Sequence, residues 1–148
     1  MSKVTAIFGA SPNEGRYSNI AARMLSEYDH PIVPLGQRKG LIANKDIIVD
    51  WPDQIDNLDT LTMYVGPARQ PEHYAYLLSL KPKRIIFNPG AENPELEALA
   101  AIQGVEVVNA CTLVMLRTGQ YESLNSIAPE SGTSALILPK RSNGIPMS

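Results

Sequence analysis

The sequence predicts an α/β protein with one mainly parallel sheet and helices on both faces. Five short apolar segments each end abruptly at a glycine, a proline or a polar residue, as buried parallel strands do. Between them lie segments whose apolar residues recur at helical spacing. Because strands and helices alternate along the chain, we expect right-handed crossovers within one doubly wound domain.

The chain opens with a predicted βαβ unit. Residues 4–8 form an apolar strand that stops at Gly9. In residues 17–28 the apolar side chains lie on one side of a helical wheel and the polar ones on the other, which predicts an amphipathic helix. Residues 32–35 form a second short strand that ends at Gly36.

The remaining elements continue the alternation after a polar stretch. Residues 37–58 are expected to form an irregular connection with a small helix and a brief strand-like run at residues 47–49. Further strands are predicted over residues 61–65, 84–88 and 105–108, and further helices over residues 71–78, 93–102 and 112–117. Asn93-Pro94-Glu95 is a helix start with a cap, a first-turn proline and an acidic residue. Together these elements predict a single five-stranded, Rossmann-like domain.

Composition limits the classes of partner. At 148 residues the chain suits one core, which we place in residues 1–119, followed by a C-terminal arm or tail in residues 120–148. The tail is rich in Ser, Pro, Asn and Gly, and its apolar island at residues 135–138 is a candidate contact for a homo-oligomer. A net charge of −2 argues against a nucleic-acid partner, and no apolar run is long enough to span or anchor in a membrane. The single cysteine and the lack of a signal peptide favour a cytoplasmic protein.

The loop between the first strand and the first helix has the composition of a phosphate site. Gly9 permits a sharp turn, Ser11 and Ser18 carry donors, and Arg16 offers a forked, permanently charged donor. The first helical N–H groups, near Tyr17, point their positive dipole end at the same place. An ordinary strand-to-helix turn with a solvated arginine is the alternative reading.

The second strand ends without the acidic residue that holds the ribose hydroxyls in NAD-binding domains. The chain has Gly36-Gln37-Arg38 there, and Ser11 stands where the second glycine of the dinucleotide fingerprint would be. A small residue followed by a basic one favours a ribose that carries phosphate. NADP and coenzyme A both satisfy this pattern.

The chain resembles the small stand-alone CoA-binding proteins, whose Rossmann domain is similar to that of the succinyl-CoA synthetase α subunit. The resemblance covers roughly residues 3–116 and is carried by residues 4–13, 16–19, 88–93 and 104–108. It implies that the first loop holds the pyrophosphate of coenzyme A or an acyl-CoA, and that the ends of the second and third strands flank the adenosine. The chain departs from the family pattern at Leu35-Gly36, at Asn88-Pro89 and at Asn109-Ala110-Cys111. The cofactor-binding residues predicted in this way are Gly9, Ala10, Ser11, Asn13, Arg16, Tyr17, Ser18, Gly36, Gln37, Arg38, Gly66, Pro67, Asn88, Pro89 and Gly90.

The sequence offers no evident catalyst. Cys111 is expected to be a buried structural residue, and two distant histidines with one cysteine provide no spacing for a metal site. Trp51, Tyr64 and the tyrosines near residue 75 are expected in the core or in an interface. The leading hypothesis is therefore a CoA-binding module without catalysis of its own. The alternatives are an NADP-dependent oxidoreductase and an interaction protein that kept the fold without the ligand.

Overall fold

A computed structural model describes residues 2–122 and confirms the predicted fold class. The strands of the main sheet are β1 (Val4–Ala10), β2 (Ile32–Gly36), β5 (Leu58–Met63), β6 (Arg84–Phe87) and β7 (Glu106–Asn109), and the short strands β3 (Leu41–Ile42) and β4 (Lys45–Asp46) lie between β2 and β5. The five strands of the main sheet are parallel and stand in the order β2-β1-β5-β6-β7. The helices are α1 (Tyr17–Glu27), α2 (Tyr74–Ser79), α3 (Pro94–Ile102) and α4 (Thr112–Arg117). Two short 3₁₀ turns, Pro67–Arg69 and Pro71–His73, precede α2.

The sheet is covered on both faces because the strand order reverses at β1. The chain moves from β1 outward to β2 and then returns to build β5, β6 and β7 on the other side of β1. With right-handed crossovers, this reversal places α1 on one face and α2 and α3 on the other. The main apolar cluster agrees, since it joins Ala6 and Phe8 of β1 to Leu77 of α2 and Leu96 of α3.

The connection after β2 differs from the expectation. Over residues 37–57 the structure has no helix; instead β3 (Leu41–Ile42) and β4 (Lys45–Asp46) form an antiparallel hairpin. Its turn residues Ala43 and Asn44 have φ of 48° and 65°, the left-handed backbone of a tight hairpin turn. Of the strand-like run predicted at residues 47–49, only Ile48 pairs with a strand, through an isolated bridge to Leu35. The small helix predicted here was therefore wrong, because the hairpin satisfies the local backbone hydrogen bonds.

The chain divides into two compact units, Ser2–Leu113 and a second unit that begins at Val114. In the second unit the described residues are 114–122, where the helical backbone ends in a turn with Tyr121 N–H donating to the Met115 carbonyl at 3.0 Å. Apart from its first three residues, the predicted arm over residues 120–148 lies outside the described residues, and so does the apolar island at 135–138. Within residues 2–122, no helix is both long and apolar enough to cross a membrane.

Candidate functional site

A cavity of about 220 Å³ lies at the carboxyl edge of the sheet, between the ends of β1, β5 and β6. This is the point at which the strand order reverses, where open α/β sheets bind their ligands. Nine of the predicted binding residues line it together, namely Gly9, Ser11, Arg16, Tyr17, Ser18, Gly66, Asn88, Pro89 and Gly90. The remaining wall is formed by Met63, Tyr64, Val65 and Ala91, which the sequence reasoning did not select.

Gly9 shapes the floor of this cavity because no larger residue fits there. Its φ is +98°, and a Cβ atom at this position would stand 3.0 Å from Cγ2 of Val65 and 3.1 Å from the Tyr64 carbonyl carbon. The β1–β2 register shifts between Phe8 and Ala10, so Gly9 forms a bulge that turns the chain out of the sheet. The glycine therefore allows the backbone of the loop to approach the end of β5.

The loop after β1 is held by hydrogen bonds within the chain. The Ser11 hydroxyl oxygen accepts from the Asn13 N–H at 3.1 Å, and the Asn13 side chain accepts from the Gly15 N–H at 2.9 Å. From α1, the buried Asn19 amide donates to the Ser11 carbonyl at 2.9 Å, and Arg23 donates to the Asn19 side chain at 3.0 Å. Asn13 thus fixes the loop without lining the cavity, while Asn19 and Arg23 are supports that only the folded structure identifies.

The N-terminus of α1 opens into the cavity without a cap. Arg16 occupies the N-cap position, and no side chain bonds to the first-turn N–H groups. The Asn19 N–H donates to the Arg16 carbonyl at 3.0 Å, whereas the Tyr17 and Ser18 N–H groups precede the first bond within the helix. The backbone of Tyr17 and Ser18 therefore offers free donors at the positive end of the helix dipole. Arg16 is exposed, and among the described residues that line this cavity it is the one with a charged side chain. The site is therefore suited to an anion.

The opposite wall comes from the loop after β6. The buried Asn88 amide donates to the Thr62 hydroxyl at 2.7 Å and to the Met63 carbonyl at 2.9 Å, and its oxygen accepts from the Thr112 N–H at 2.9 Å. Both amide hydrogens of Asn88 are thus used to join neighbouring strand ends. At the rim, the Gly90 N–H donates to the Glu92 carboxylate at 2.8 Å, which shows that this backbone donor can bind an anion.

A buried polar network ties the two rims of the cavity together. Gln70 is completely buried, and its amide nitrogen donates to the Val65 carbonyl at 2.8 Å and to the Ala91 carbonyl at 2.9 Å. Its oxygen accepts from the Asn93 side chain at 2.8 Å, and Asn93 also caps α3. Val65 and Ala91 both line the cavity, so Gln70 fixes the spacing between the ends of β5 and β6.

A second, larger cavity of about 520 Å³ lies beside the end of β2. Gly36 and Gln37, predicted to flank an adenosine, both line it. A Cβ atom on Gly36 would stand 2.5 Å from the Ala10 carbonyl oxygen, so only glycine lets β2 approach β1 at this point. The other lining residues are Val49, Trp51, Asp53, Glu72, His73 and Tyr76.

The wall of the second cavity is aromatic. Trp51 packs with its ring centroid 5.0 Å from Phe8, 5.3 Å from His73 and 5.4 Å from Tyr76. Its indole N–H donates to the Gly36 carbonyl at 3.0 Å, which fixes the orientation of the ring. Trp51 therefore contacts the core as expected, but it also lines a cavity.

Four predicted binding residues, Ala10, Asn13, Arg38 and Pro67, line neither of these two cavities. Ala10 is buried in β1, whereas the other three are exposed. Arg38 follows Gly36 and Gln37 along the chain, but its side chain is not part of the cavity wall.

The cysteine, the histidines and the acidic residues are distributed as follows in the part of the chain that the structure describes. Among residues 2–122, no group of three His, Cys, Asp or Glu side chains is arranged to hold a metal ion. The Cys111 thiol is half-buried rather than buried, and it lines neither cavity. Of the two histidines, His30 is buried and accepts from the Lys3 N–H at 2.9 Å, and His73 belongs to the aromatic wall.

Solved structures with the same fold include close and distant relatives of the chain. The crystal structure of an uncharacterized protein is 47% identical, with a TM-score of 0.78 and coverage of 80% of this chain and 98% of that chain. The cell-free ID.343 protein from Thermus thermophilus is 21% identical, with a TM-score of 0.68 and coverage of 80% and 90%. A hypothetical protein from Pyrococcus horikoshii OT3 is 22% identical, with a TM-score of 0.65 and coverage of 81% and 82%. The latter two support the fold alone.

None of the curated proteins compared with the chain matches it. A family model described as a CoA binding domain, however, matches residues 3–117, which include both cavities and the loop after β1. This match confirms the resemblance predicted from the residues around Gly9 and Arg16, and the chain belongs to the CoA binding domain family.

Proposed function

We propose that this chain binds coenzyme A or an acyl-CoA, with the diphosphate at the N-terminus of α1. The observation that carries the proposal is the cavity at the reversal of strand order, where the uncapped N–H groups of Tyr17 and Ser18 lie beside Arg16. Backbone N–H groups at a helix N-terminus donate hydrogen bonds to phosphate oxygens, and the helix dipole favours the negative charge there. Membership of the CoA binding domain family supports coenzyme A as the source of that phosphate.

Each predicted residue has a role in this proposal. Gly9 and Ala10 bring the backbone close to the diphosphate, the Ser11 hydroxyl retains a hydrogen to donate, and Asn13 holds the loop. Gly36 and Gln37 lie at the cavity that would receive the adenosine. On the far rim, Gly66, Asn88, Pro89 and Gly90 line the diphosphate cavity and would face the pantetheine arm or the second phosphate. This assignment differs from the expectation that the end of the third strand flanks the adenosine. Pro67 and Arg38 line neither cavity and would remain at the outer edge.

We further propose that the protein binds and presents the cofactor without catalysing a reaction. The described residues that line the diphosphate cavity include no histidine, cysteine, carboxylate or lysine. General acid–base or nucleophilic catalysis relies mostly on such groups. The thiol or thioester chemistry would then be performed by another protein.

Isothermal titration with coenzyme A, acetyl-CoA and NADP⁺ tests the proposal, using the wild-type protein and Arg16→Ala. Arg16→Ala should weaken coenzyme A binding by about 1.5 to 3 kcal/mol, the usual contribution of a hydrogen bond to a charged group. Arg117→Ala, which removes an exposed arginine outside both cavities, is the matched control and should leave the affinity unchanged.

The pattern of heats separates the alternatives. Binding of NADP⁺ without binding of coenzyme A would favour an NADP-dependent oxidoreductase. No heat with either ligand at millimolar concentration would favour a ligand-free interaction protein. Equal coenzyme A affinity in Arg16→Ala and the wild-type protein would contradict the assigned diphosphate site.

A further inference from the structure

The two cavities at the carboxyl edge of the sheet differ in charge. The diphosphate cavity carries Arg16 as its charged lining residue among those described. The cavity beside Gly36 is lined by two carboxylates, Asp53 and Glu72, and by no lysine or arginine among the described residues. One edge of the sheet therefore offers a positive site next to a negative one.

Both carboxylates, Asp53 and Glu72, lie close to aromatic residues of the second cavity. The Tyr76 hydroxyl donates to the Pro52 carbonyl at 2.7 Å, which brings the segment that carries Asp53 against α2. Burial and then the Asp53 charge raise the pKa of Tyr76, which is consistent with this proximity. Glu72 lies with its Oε2 atom 3.3 Å from Nε2 of His73.

The aromatic wall suits a flat, uncharged ring. Trp51 is held by its bond to the Gly36 carbonyl, and the Trp51 and Tyr76 rings are tilted by only 33° with their centroids 5.4 Å apart. A purine can stack on such a surface because each ring has a π-face. The volume of about 520 Å³ is in the range of small-molecule sites.

The carboxylates of the second cavity would lie near the ribose of a bound adenosine. In nucleotide-binding folds of this type, a carboxylate near the end of the second strand accepts hydrogen bonds from free ribose hydroxyls. Asp53 supplies such a carboxylate from the connection between β4 and β5, although β2 itself ends without one. A phosphate on that ribose would instead meet two like charges. Arg38 and Lys39 follow β2 and are exposed, but neither lines the cavity to offset those charges.

We infer that the cavity beside Gly36 selects an adenosine with free ribose hydroxyls, so that dephospho-CoA binds more tightly than coenzyme A, with Asp53 as the specificity-determining residue. This inference rests on the proposed function, since it assumes that the diphosphate of the same ligand occupies the Arg16 site. It reverses the expectation from the residues after β2 that the ribose carries phosphate.

Titration of the wild-type protein with dephospho-CoA and coenzyme A, at about 20 mM salt to limit screening, measures the preference directly. Dephospho-CoA should bind about fivefold more tightly, as expected for one unit charge repelled by another at about 4 Å in water. Asp53→Asn should reduce the ratio of the two dissociation constants towards one. Asp29→Asn changes an exposed aspartate just after the C-terminal end of α1, at the opposite edge of the sheet from the cavity, so it is the matched control and should leave the ratio unchanged.

Three results would overturn the inference, and they differ in what they say of the proposed function. Tighter binding of coenzyme A than of dephospho-CoA would contradict the inference while supporting the proposed function. An equal ratio in Asp53→Asn and the wild-type protein would remove Asp53 as the cause. Failure of both ligands to bind would reject the proposed function and this inference together.

Discussion

Replacing Gln70 by leucine should destabilise the protein strongly, although the side chain has nearly the same size. The Gln70 amide makes three buried hydrogen bonds, to the Val65 carbonyl, the Ala91 carbonyl and the Asn93 side chain. With leucine at this position, the two carbonyls and the Asn93 side chain would each lose the hydrogen bond to Gln70. Each buried polar group that loses its partner costs about 1 to 3 kcal/mol.

The expected loss for Gln70→Leu is about 3 to 5 kcal/mol, because the loops relax and the three costs do not add fully. Urea denaturation followed by circular dichroism measures it as a lower midpoint with an unchanged slope. Gln103→Leu is the matched control, since Gln103 is exposed at the end of α3. That control should stay within about 0.5 kcal/mol of the wild-type protein. If Gln70→Leu lost no more stability than Gln103→Leu, the network would not hold the cavity rims as argued.

Substitutions of Gly9, Glu92 and Glu106 test three further positions. Gly9→Ala should cost about 2 to 4 kcal/mol in urea denaturation, because φ is +98° and the new Cβ would stand 3.0 Å from Val65; a loss below 1 kcal/mol would refute the close approach. Glu92→Gln keeps an acceptor for the Gly90 N–H but removes a negative charge from the cavity rim. The affinity for coenzyme A, measured by calorimetry, should therefore rise about two- to fivefold. A lower affinity would contradict an anion site at this rim. Burial raises the pKa of Glu106, partly offset by Arg84, so the folded state favours the protonated carboxyl. Glu106 should therefore contribute stability that is fully present below the ordinary carboxyl pKa and is lost as pH rises through the raised pKa. In urea denaturation at several pH values, Glu106→Gln should remove this contribution, and a pH profile identical to that of the wild-type protein would count against the shift.

The parts predicted from the sequence are those that local patterns encode. The β1 strand, the turn at Gly9 and the helix α1 follow from an apolar run, a glycine and a helical period, and the structure has each of them. Parallel pairing brings strand ends to one edge, so the loops after β1, β5 and β6 could be placed together before the fold was known. This is why nine of the predicted residues line one cavity.

The parts that were missed depend on contacts between distant residues. The hairpin after β2 turns at Ala43-Asn44, which lacks the glycine that usually marks such a turn. Trp51 and Asp53 come to the second cavity through the bond between Trp51 and the Gly36 carbonyl, which spans 15 residues. No periodicity predicts this contact. The sequence correctly indicates that β2 ends without an acidic residue. That Asp53 places a carboxylate at the same cavity follows only from the folded structure.

The binding proposal as a whole depends on where a diphosphate lies in the folded chain. A crystal structure of the protein with coenzyme A measures this position directly. We predict phosphate oxygens within hydrogen-bond distance of the Tyr17 and Ser18 N–H groups, with the Arg16 guanidinium beside them. A ligand bound elsewhere, with water or side chains filling the space before α1, would contradict the proposed site.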